Sequence, residues 1–366
     1  MDEIKPTYSD SQTEPFSLLG CSLVRKNVFS QVMFWIVSIG LIFNASYRIL
    51  FIIFPAFHVN EATTDKYEET FYQVFSLCLG LITMHFELNR SLYIKYMDSY
   101  QTIVSNHFGK ASPKFVKKWG RIIRFWVIFA FIYEVVTSSA SDYSYFQKFS
   151  LQVNMFATIS IGIISQLCYI LSMQFIIECC IYCQATFIPI NTLLDTLSNQ
   201  NKHYSPLDIN RMARSTRVYY IKAIKSIRYM NKFLAYAILV FYLHFIGHCI
   251  FIFSSTFAIG QSAFMLCYSV FRMFGEGSYL VLVTYHLIRV NQLSVQIFDR
   301  VYQLSFSFNS DQSIEAINEI NLFLLRINRN DVGFTFAGLC LVSPSFVSSL
   351  ATISLTLGLA LPSILK

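Results

Sequence analysis

The residues in this sequence that could do chemistry are few, and most of them sit in stretches that water would not reach. Arg48, Glu134, Arg272 and Glu276 each fall inside a long apolar segment. An ionisable side chain in a hydrocarbon setting costs roughly a few kcal/mol, so it marks a functional or structural polar contact. Arg272 and Glu276 are spaced i,i+4, close enough to pair along one helix face. Two readings stay open: neutralisation within the protein, Arg272 with Glu276 or Arg48 with Glu134, or the polar floor of a ligand pocket. His244 and His248 share the same spacing, but a metal site needs further ligands. None stands nearby, so no metal or cofactor is expected, and the pair is read as bonding between helices or to a ligand. Aromatics crowd the same segments, Tyr47, Phe51, Tyr72, Phe75, Tyr133, Phe245, Phe253 and Tyr268 among them. A subset of these would line a pocket for a small organic molecule.

A second constellation lies near the end of the chain. Ser345, Ser349, Thr352, Thr356 and Ser363 recur at helical spacing, and Leu359 fills the gap on the same face. Such a stripe fits the wall of a wetted pore or a close-packed seam between helices. The chain carries no nucleophile constellation, no ligand set for a metal and no phosphate-binding loop, since Gly275-Glu276-Gly277 is too short to be one. An enzyme is not expected.

These residues must be positioned by helices in a membrane. Of 366 residues, 54% are hydrophobic and 13% charged, against about 25% charged in a soluble domain. Spans are expected near Val28–Phe57, Phe71–Leu88, Ile122–Ala140, Leu151–Ile176, Phe233–Phe257, Ala263–Ile288 and Val332–Leu361, each close to the roughly 20 apolar residues a crossing needs. The polar, acidic start (Asp2, Glu3, Asp10, Glu14) does not read as a signal peptide.

Lys and Arg set the orientation. Residues 89–121 hold Arg90, Lys95, Lys110, Lys114, Lys117, Lys118 and Arg121, and residues 177–232 hold eight more from Lys202 to Lys232. The opposite side is cation-poor: the loop His58–Glu69 has Lys66 against four acids, and Lys148 stands alone after the third span. The expected fold class is therefore all-α, with seven transmembrane helices, the N-terminus inside and the C-terminus outside, the reverse of a G-protein-coupled receptor. Residues 1–27 form a cytoplasmic N-terminal segment, 28–288 a six-span bundle, 289–331 a cytoplasmic anchor helix and 332–366 the seventh span. Apolar character runs from Leu151 to about Leu197, so that helix is expected to project beyond the bilayer. Asp208–Met230 and Val290–Ile327, interrupted at Ser305–Ser313, would complete a cytoplasmic helical platform. Cys179, Cys180 and Cys183 are read as small apolar packing, or as palmitoylation sites.

With the inverted seven-span plan, the long inside extensions and the stretch Phe334-Thr335-Phe336-Ala337-Gly338 ahead of a terminal span, the chain resembles the insect gustatory and odorant receptor superfamily, in its gustatory-receptor-like branch. The plan covers nearly the whole chain and the motif about 30 residues. The last span departs from the family pattern of Thr-Tyr, five apolar residues, then Gln-Phe: Leu357 stands where Tyr is usual and Ser363 near the Gln. The chain reads as a divergent member.

The resemblance implies a homo- or heterotetrameric, ligand-gated, non-selective cation channel in the plasma membrane of sensory neurons. Its last span would line the pore with Ser349, Thr352, Thr356, Leu359 and Ser363, with Leu359 and Ile364 as an apolar gate. Arg48, Tyr72, Tyr133, Glu134, His244, His248, Tyr268, Arg272 and Glu276 would line a pocket for a small organic ligand. The partners implied are the lipid bilayer, other subunits, cations and that ligand, with no nucleic acid. The alternatives are a G-protein-coupled seven-span chemoreceptor, which the charge bias opposes, and a small-solute transporter, for which no inverted repeat is evident.

Overall fold

The computed structural model describes residues 14–25, 28–53, 64–105, 109–149, 155–200, 206–256, 263–307, 314–327 and 332–364. The described residues are helical almost throughout. In order, the helices are α1 (Leu18–Val24), α2 (Val28–Arg48, continued by a π-turn Ile49–Ile53), α3 (Thr64–Leu88), α4 (Arg90–Val104), α5 (Ala111–Phe149), α6 (Met155–Ala185), α7 (Ile188–Gln200), α8 (Pro206–Thr256), α9 (Ala263–Ser307), α10 (Ile314–Ile327) and α11 (Pro344–Ile364). A two-stranded antiparallel ribbon, β1 (Thr335–Phe336) and β2 (Cys340–Leu341), is the one departure from an all-α chain among the described residues.

Each expected span falls largely on one of these helices. Among the described residues, four stretches are long and apolar enough to cross a membrane: Val28–Arg48, Tyr67–Leu88, Gly162–Ser198 and Asn210–Phe253. Apolar side chains face outward along α2 (Val32, Ile36, Ile39, Phe43) and α5 (Phe125, Ile128, Phe129, Ile132). A contiguous exposed apolar surface of this kind belongs against lipid. Helix α8 has 51 residues, about 75 Å at 1.5 Å per residue, more than twice the roughly 30 Å of a bilayer's hydrocarbon.

The element boundaries differ from the sequence expectation in four places. Helix α3 starts at Thr64, so Glu68 and Glu69 belong to a helix and not to a loop. The apolar run from Leu151 to Leu197 breaks at Thr186–Phe187 into α6 and α7. Pro189 explains the break: it has no N–H to give to the carbonyl four residues back, and its ring crowds that carbonyl. Asp208–Met230 and the fifth span are one helix, α8. Likewise α9 runs unbroken from Ala263 to Ser307, through the expected boundary at 288–289.

The fourth difference is the stretch expected to open the last span. Residues 335–341 form the ribbon, and the helix waits until Pro344. Ala337 and Gly338 both have positive φ (52° and 79°), and Leu339 N–H donates to the Phe336 carbonyl at 2.9 Å. Two positive-φ residues in succession make a tight hairpin turn, which suits Gly at the second place. Two asparagines clamp the ribbon from outside. Thr335 donates from both N–H and Oγ1 to Asn231 Oδ1 (2.8 and 3.0 Å), and Asn291 Nδ2 donates to the Val332 carbonyl (2.8 Å).

The core has a centre where α4, α6 and α8 meet: Tyr93, Tyr100, Phe175, Tyr182 and Phe233 are buried there in edge-to-face ring contacts. Cys179, Cys180 and Cys183 are buried in the same core, so they pack and offer no surface for acylation. The second half of α9, the start of α8, α7 and α10 gather at one end of the molecule. Arg217 pairs there with Glu319 at 2.7 Å, Arg300 with Asp195 at 2.9 Å, and the Tyr220 and Ser294 hydroxyls meet at 2.8 Å.

Candidate ligand cavity and terminal helix

Six helices, α2, α3, α5, α6, α8 and α9, enclose a cavity of about 190 Å³. The nine residues singled out from the sequence all reach it: Arg48 from α2, Tyr72 from α3, Tyr133 and Glu134 from α5, His244 and His248 from α8, and Tyr268, Arg272 and Glu276 from α9. Residues from opposite ends of the bundle's sequence thus share one wall.

The arginines do not pair as the sequence suggested. Arg272 Nη1 lies 3.7 Å from Glu68 Oε1, and Arg48 Nη1 lies 3.4 Å from Glu69 Oε1. Both acids come from the first turns of α3, which the sequence had placed in a loop. Glu69 also accepts from Gln73 Nε2 at 2.8 Å.

Arg272 organises one side of the cavity. Its Nη2 donates to the Tyr72 hydroxyl at 2.5 Å and to His248 Nε2 at 3.3 Å. A guanidinium has no acceptor, so Nε2 accepts, and a neutral His248 carries its proton on Nδ1. That N–H then donates to the Tyr72 oxygen at 2.8 Å, and Tyr72 donates onward to Glu68 at 3.3 Å. The guanidinium also lies 5.8 Å from the Tyr268 ring centre, in cation–π range. Tyr133 donates to the Arg272 carbonyl (3.1 Å) and Tyr268 to the Thr137 carbonyl (3.1 Å), tying α9 to α5.

Other polar groups of the cavity are unsatisfied. Glu276 Oε1 comes no nearer than 3.7 Å to His248 Nε2, the nitrogen already used as an acceptor. Glu276 Oε2, Glu134 Oε1, Gln73 Oε1, His244 Nδ1 and the Tyr169 hydroxyl are buried, line the cavity and have no hydrogen-bond partner. Buried polar atoms are paired in the great majority of cases, so a cluster of exceptions calls for an explanation. His244 stacks on Phe75 with ring centres 3.7 Å apart, and Tyr169 meets Phe75 edge-on at 5.4 Å.

No known family's sequence profile matches the chain, and no curated protein matches it in sequence. Among solved structures, the olfactory receptor OR5 of the insect Machilis hrabei superposes with a TM-score of 0.60 at 10% identity, over 92% of this chain and 90% of that one. The same receptor in complex with eugenol gives 0.59 at 11% identity, over 93% and 91%. The fold is that of an insect olfactory receptor. At this identity the likeness reaches the olfactory-receptor architecture over nearly the full length of both chains, and the sequence says little more.

In this olfactory-receptor fold the terminal helix α11 lies along α8. Its inner face carries Phe346, Val347, Leu350, Ser354 and Gly358; a Cβ at Gly358 would come within 2.9 Å of Phe253 Cβ. Glycine lets the two backbones approach. The expected stripe is on the other face. Ser345, Ser349, Thr352, Thr356 and Leu359 are exposed on the single chain. Ser349, Thr352 and Thr356 each donate to the carbonyl four residues back, at 2.9–3.0 Å. Within the chain the stripe is therefore not a helix–helix seam. Ser363 and Ile364 fall in the last turn of α11, and their side chains lie outside the described residues.

The sequence missed several lining residues. Glu69, Gln73 and Ser76 recur at i, i+4 and i+7, and Ser165, Gln166 and Tyr169 form a second cluster on α6. The signal was available: polar residues spaced along one face of an otherwise apolar helix.

Proposed function

We propose that this protein is a chemoreceptor of gustatory-receptor-like type, working as a tetrameric, ligand-gated, non-selective cation channel. The observation that carries the proposal is the cavity: five unpartnered buried polar atoms and a set of aromatic faces enclosed by six helices of an olfactory-receptor fold. A preformed pocket with a few convergent polar groups is what a small-molecule site looks like. The eugenol complex of the olfactory receptor supports a small organic ligand as the kind of molecule involved. Seven spans, with basic loops inside and the C-terminus outside, are the topology of this reading.

In the assembled channel α11 lines the central pore of four subunits. Ser349, Thr352, Thr356 and Ser363 face the ion path, and Leu359 with Ile364 forms the apolar constriction. Hydroxyls that bond back to their own helix still present an oxygen to a passing hydrated cation, while a ring of apolar side chains blocks ions by dewetting. Ligand contacts at Arg272, Glu276 and His248 would reach the pore through α8, which carries both His248 and the Phe253–Gly358 contact with α11. The departures at Leu357 and Ser363 set this pore apart from those with the usual Tyr and Gln.

The test is expression in a cell line with surface delivery verified, followed by whole-cell recording during a broad chemical screen. Ligand-evoked cation current is expected, and single-particle images of the purified protein should show a four-fold ring. A silent, monomeric protein at the surface sinks the proposal.

A further inference from the structure

The charges around the cavity do not balance. Arg272 faces Glu68 and Arg48 faces Glu69, each pair within 3.7 Å. That leaves Glu134 and Glu276. They are 4% and 5% exposed, and each has one oxygen without a partner. A buried carboxylate is costly unless it is paired or hydrogen-bonded, and among the residues that line the cavity no Lys or Arg is left to pair them. Arg272 is the nearest in sequence, but its guanidinium faces Glu68 and donates to Tyr72 and His248.

Aromatic side chains line the cavity together with the two acids. Tyr133 precedes Glu134 on α5, and Tyr169 stands 4% exposed with its hydroxyl unpartnered. Phe75 and the His244 ring stacked on it line the same cavity. Carboxylates set among aromatic faces suit an ammonium group, through charge-assisted hydrogen bonds and cation–π contact. Among the described residues no three His, Cys, Asp or Glu side chains group as a metal site, so a metal ion fits less well than an organic cation. An apolar cavity of about 150 Å³ holds benzene; about 190 Å³ leaves room for a ring with a short side chain.

We infer that the cavity binds a small aromatic amine, its protonated nitrogen held by Glu134 and Glu276 and its ring packed on Phe75 and Tyr169. This rests on the cavity being a ligand site, as proposed above, and adds the chemical class of the ligand. The neutral Gln73 Oε1 and the Tyr169 oxygen are further acceptors for the N–H groups.

The probe is tritiated 2-phenylethylamine, measured for saturable binding to the purified full-length protein. The competitor is 2-phenylethanol, which replaces the amine by a hydroxyl. Saturable amine binding is expected, with the alcohol at least tenfold weaker. Glu276→Gln and Glu134→Gln should each weaken the amine at least tenfold and change the alcohol less than threefold. Equal competition by alcohol and amine overturns the inference, as does unchanged amine affinity in both variants. The wild-type competition needs no variant, so it decides the question even where a substituted protein fails to fold. Absence of saturable amine binding to monodisperse protein also overturns it. The outcomes separate from those of the channel proposal: amine binding without current sinks the channel and keeps this inference, and current evoked only by neutral compounds does the reverse.

Discussion

The molecule buries glutamates in two regions and treats them in opposite ways. On α6, Glu178 is inaccessible to solvent and saturated with donors. Phe16 N–H reaches Oε1 at 2.5 Å, Ser17 N–H reaches Oε2 at 3.2 Å, and the Ser17 hydroxyl donates to Oε2 as well. The same Ser17 oxygen accepts from Gly20 N–H at 3.0 Å and so caps α1. Tyr182, one turn further along α6, donates to the Glu14 carbonyl at 3.0 Å and stacks on Phe16. Around Glu134 and Glu276 there is no such completion. One acid fastens the start of the described chain to the core, and the other two are left open to whatever enters the cavity. Satisfied and unsatisfied buried acids are thus a guide to which polar groups hold the fold and which serve a ligand.

The sharpest way to break this comparison is Glu178→Ala. It strands the Phe16 and Ser17 backbone N–H groups and a hydroxyl, each loss worth up to about 1–3 kcal/mol. A destabilisation of about 3 kcal/mol or more is expected from that range, visible as a large fall in melting temperature and loss of protein from the cell surface. Glu178→Gln keeps an acceptor and should fall well short of that. A tolerated Glu178→Ala would mean that the N-terminal segment is not fastened there.

Next in size is Gly275→Ala, beside the open acid. A Cβ at this place would run into the Tyr133 ring, and overpacking of this sort costs about 1–3 kcal/mol. The Tyr133 ring can relieve it only by moving, and it lines the cavity beside Glu134. A modest loss of stability is therefore expected together with a changed ligand sensitivity in dose–response recordings. Loss of stability with an unchanged dose–response would detach Tyr133 from the site.

Ser17→Ala is smaller again. It removes the α1 cap, worth about 1 kcal/mol, and one of the three donors to Glu178. Thermal unfolding should drop by a fraction of the Glu178→Ala effect. An equal drop would show that the hydroxyl, and not the two backbone N–H groups, carries the contact.

How much of this was legible beforehand depends on the range of the signal. Residues that break an apolar background, Arg48, Glu134, Arg272 and Glu276, are conspicuous in the sequence, and the structure gathers them around one cavity with the two histidines picked for their spacing and the three tyrosines picked as aromatics. Their partners were not legible. Glu68 and Glu69 looked like loop residues because the hydropathy of the second span fades before the helix does, and helix ends are set by hydrogen bonds and packing that hydropathy does not report. Glu178 was passed over because it lies two residues past the expected end of the fourth span at Ile176, in a stretch expected to leave the bilayer, and what satisfies it arrives from 161 residues away. The ribbon at 335–341 was hidden for a different reason. Its residues are as apolar as a membrane span, and what sets the ribbon off is the positive-φ turn at Ala337–Gly338 together with Asn231 and Asn291, on other helices, which bond Thr335 and the Val332 carbonyl just ahead of it.

The smallest expected effect is the most discriminating. Glu276→Gln should leave the melting temperature of the purified, ligand-free protein unchanged or slightly raised. The carboxylate gains nothing there from Oε2, which has no partner, and an amide of the same shape removes a buried ionisable group whose charge would go uncompensated. At Glu178 the corresponding amide swap gives up part of a completed set of bonds and must cost something. The two isosteric changes therefore pull apart: Glu178→Gln lowers stability and spares ligand response, and Glu276→Gln spares stability and weakens response. If both lower stability alike, Glu276 is a structural acid with partners of its own, and the contrast between the two regions collapses.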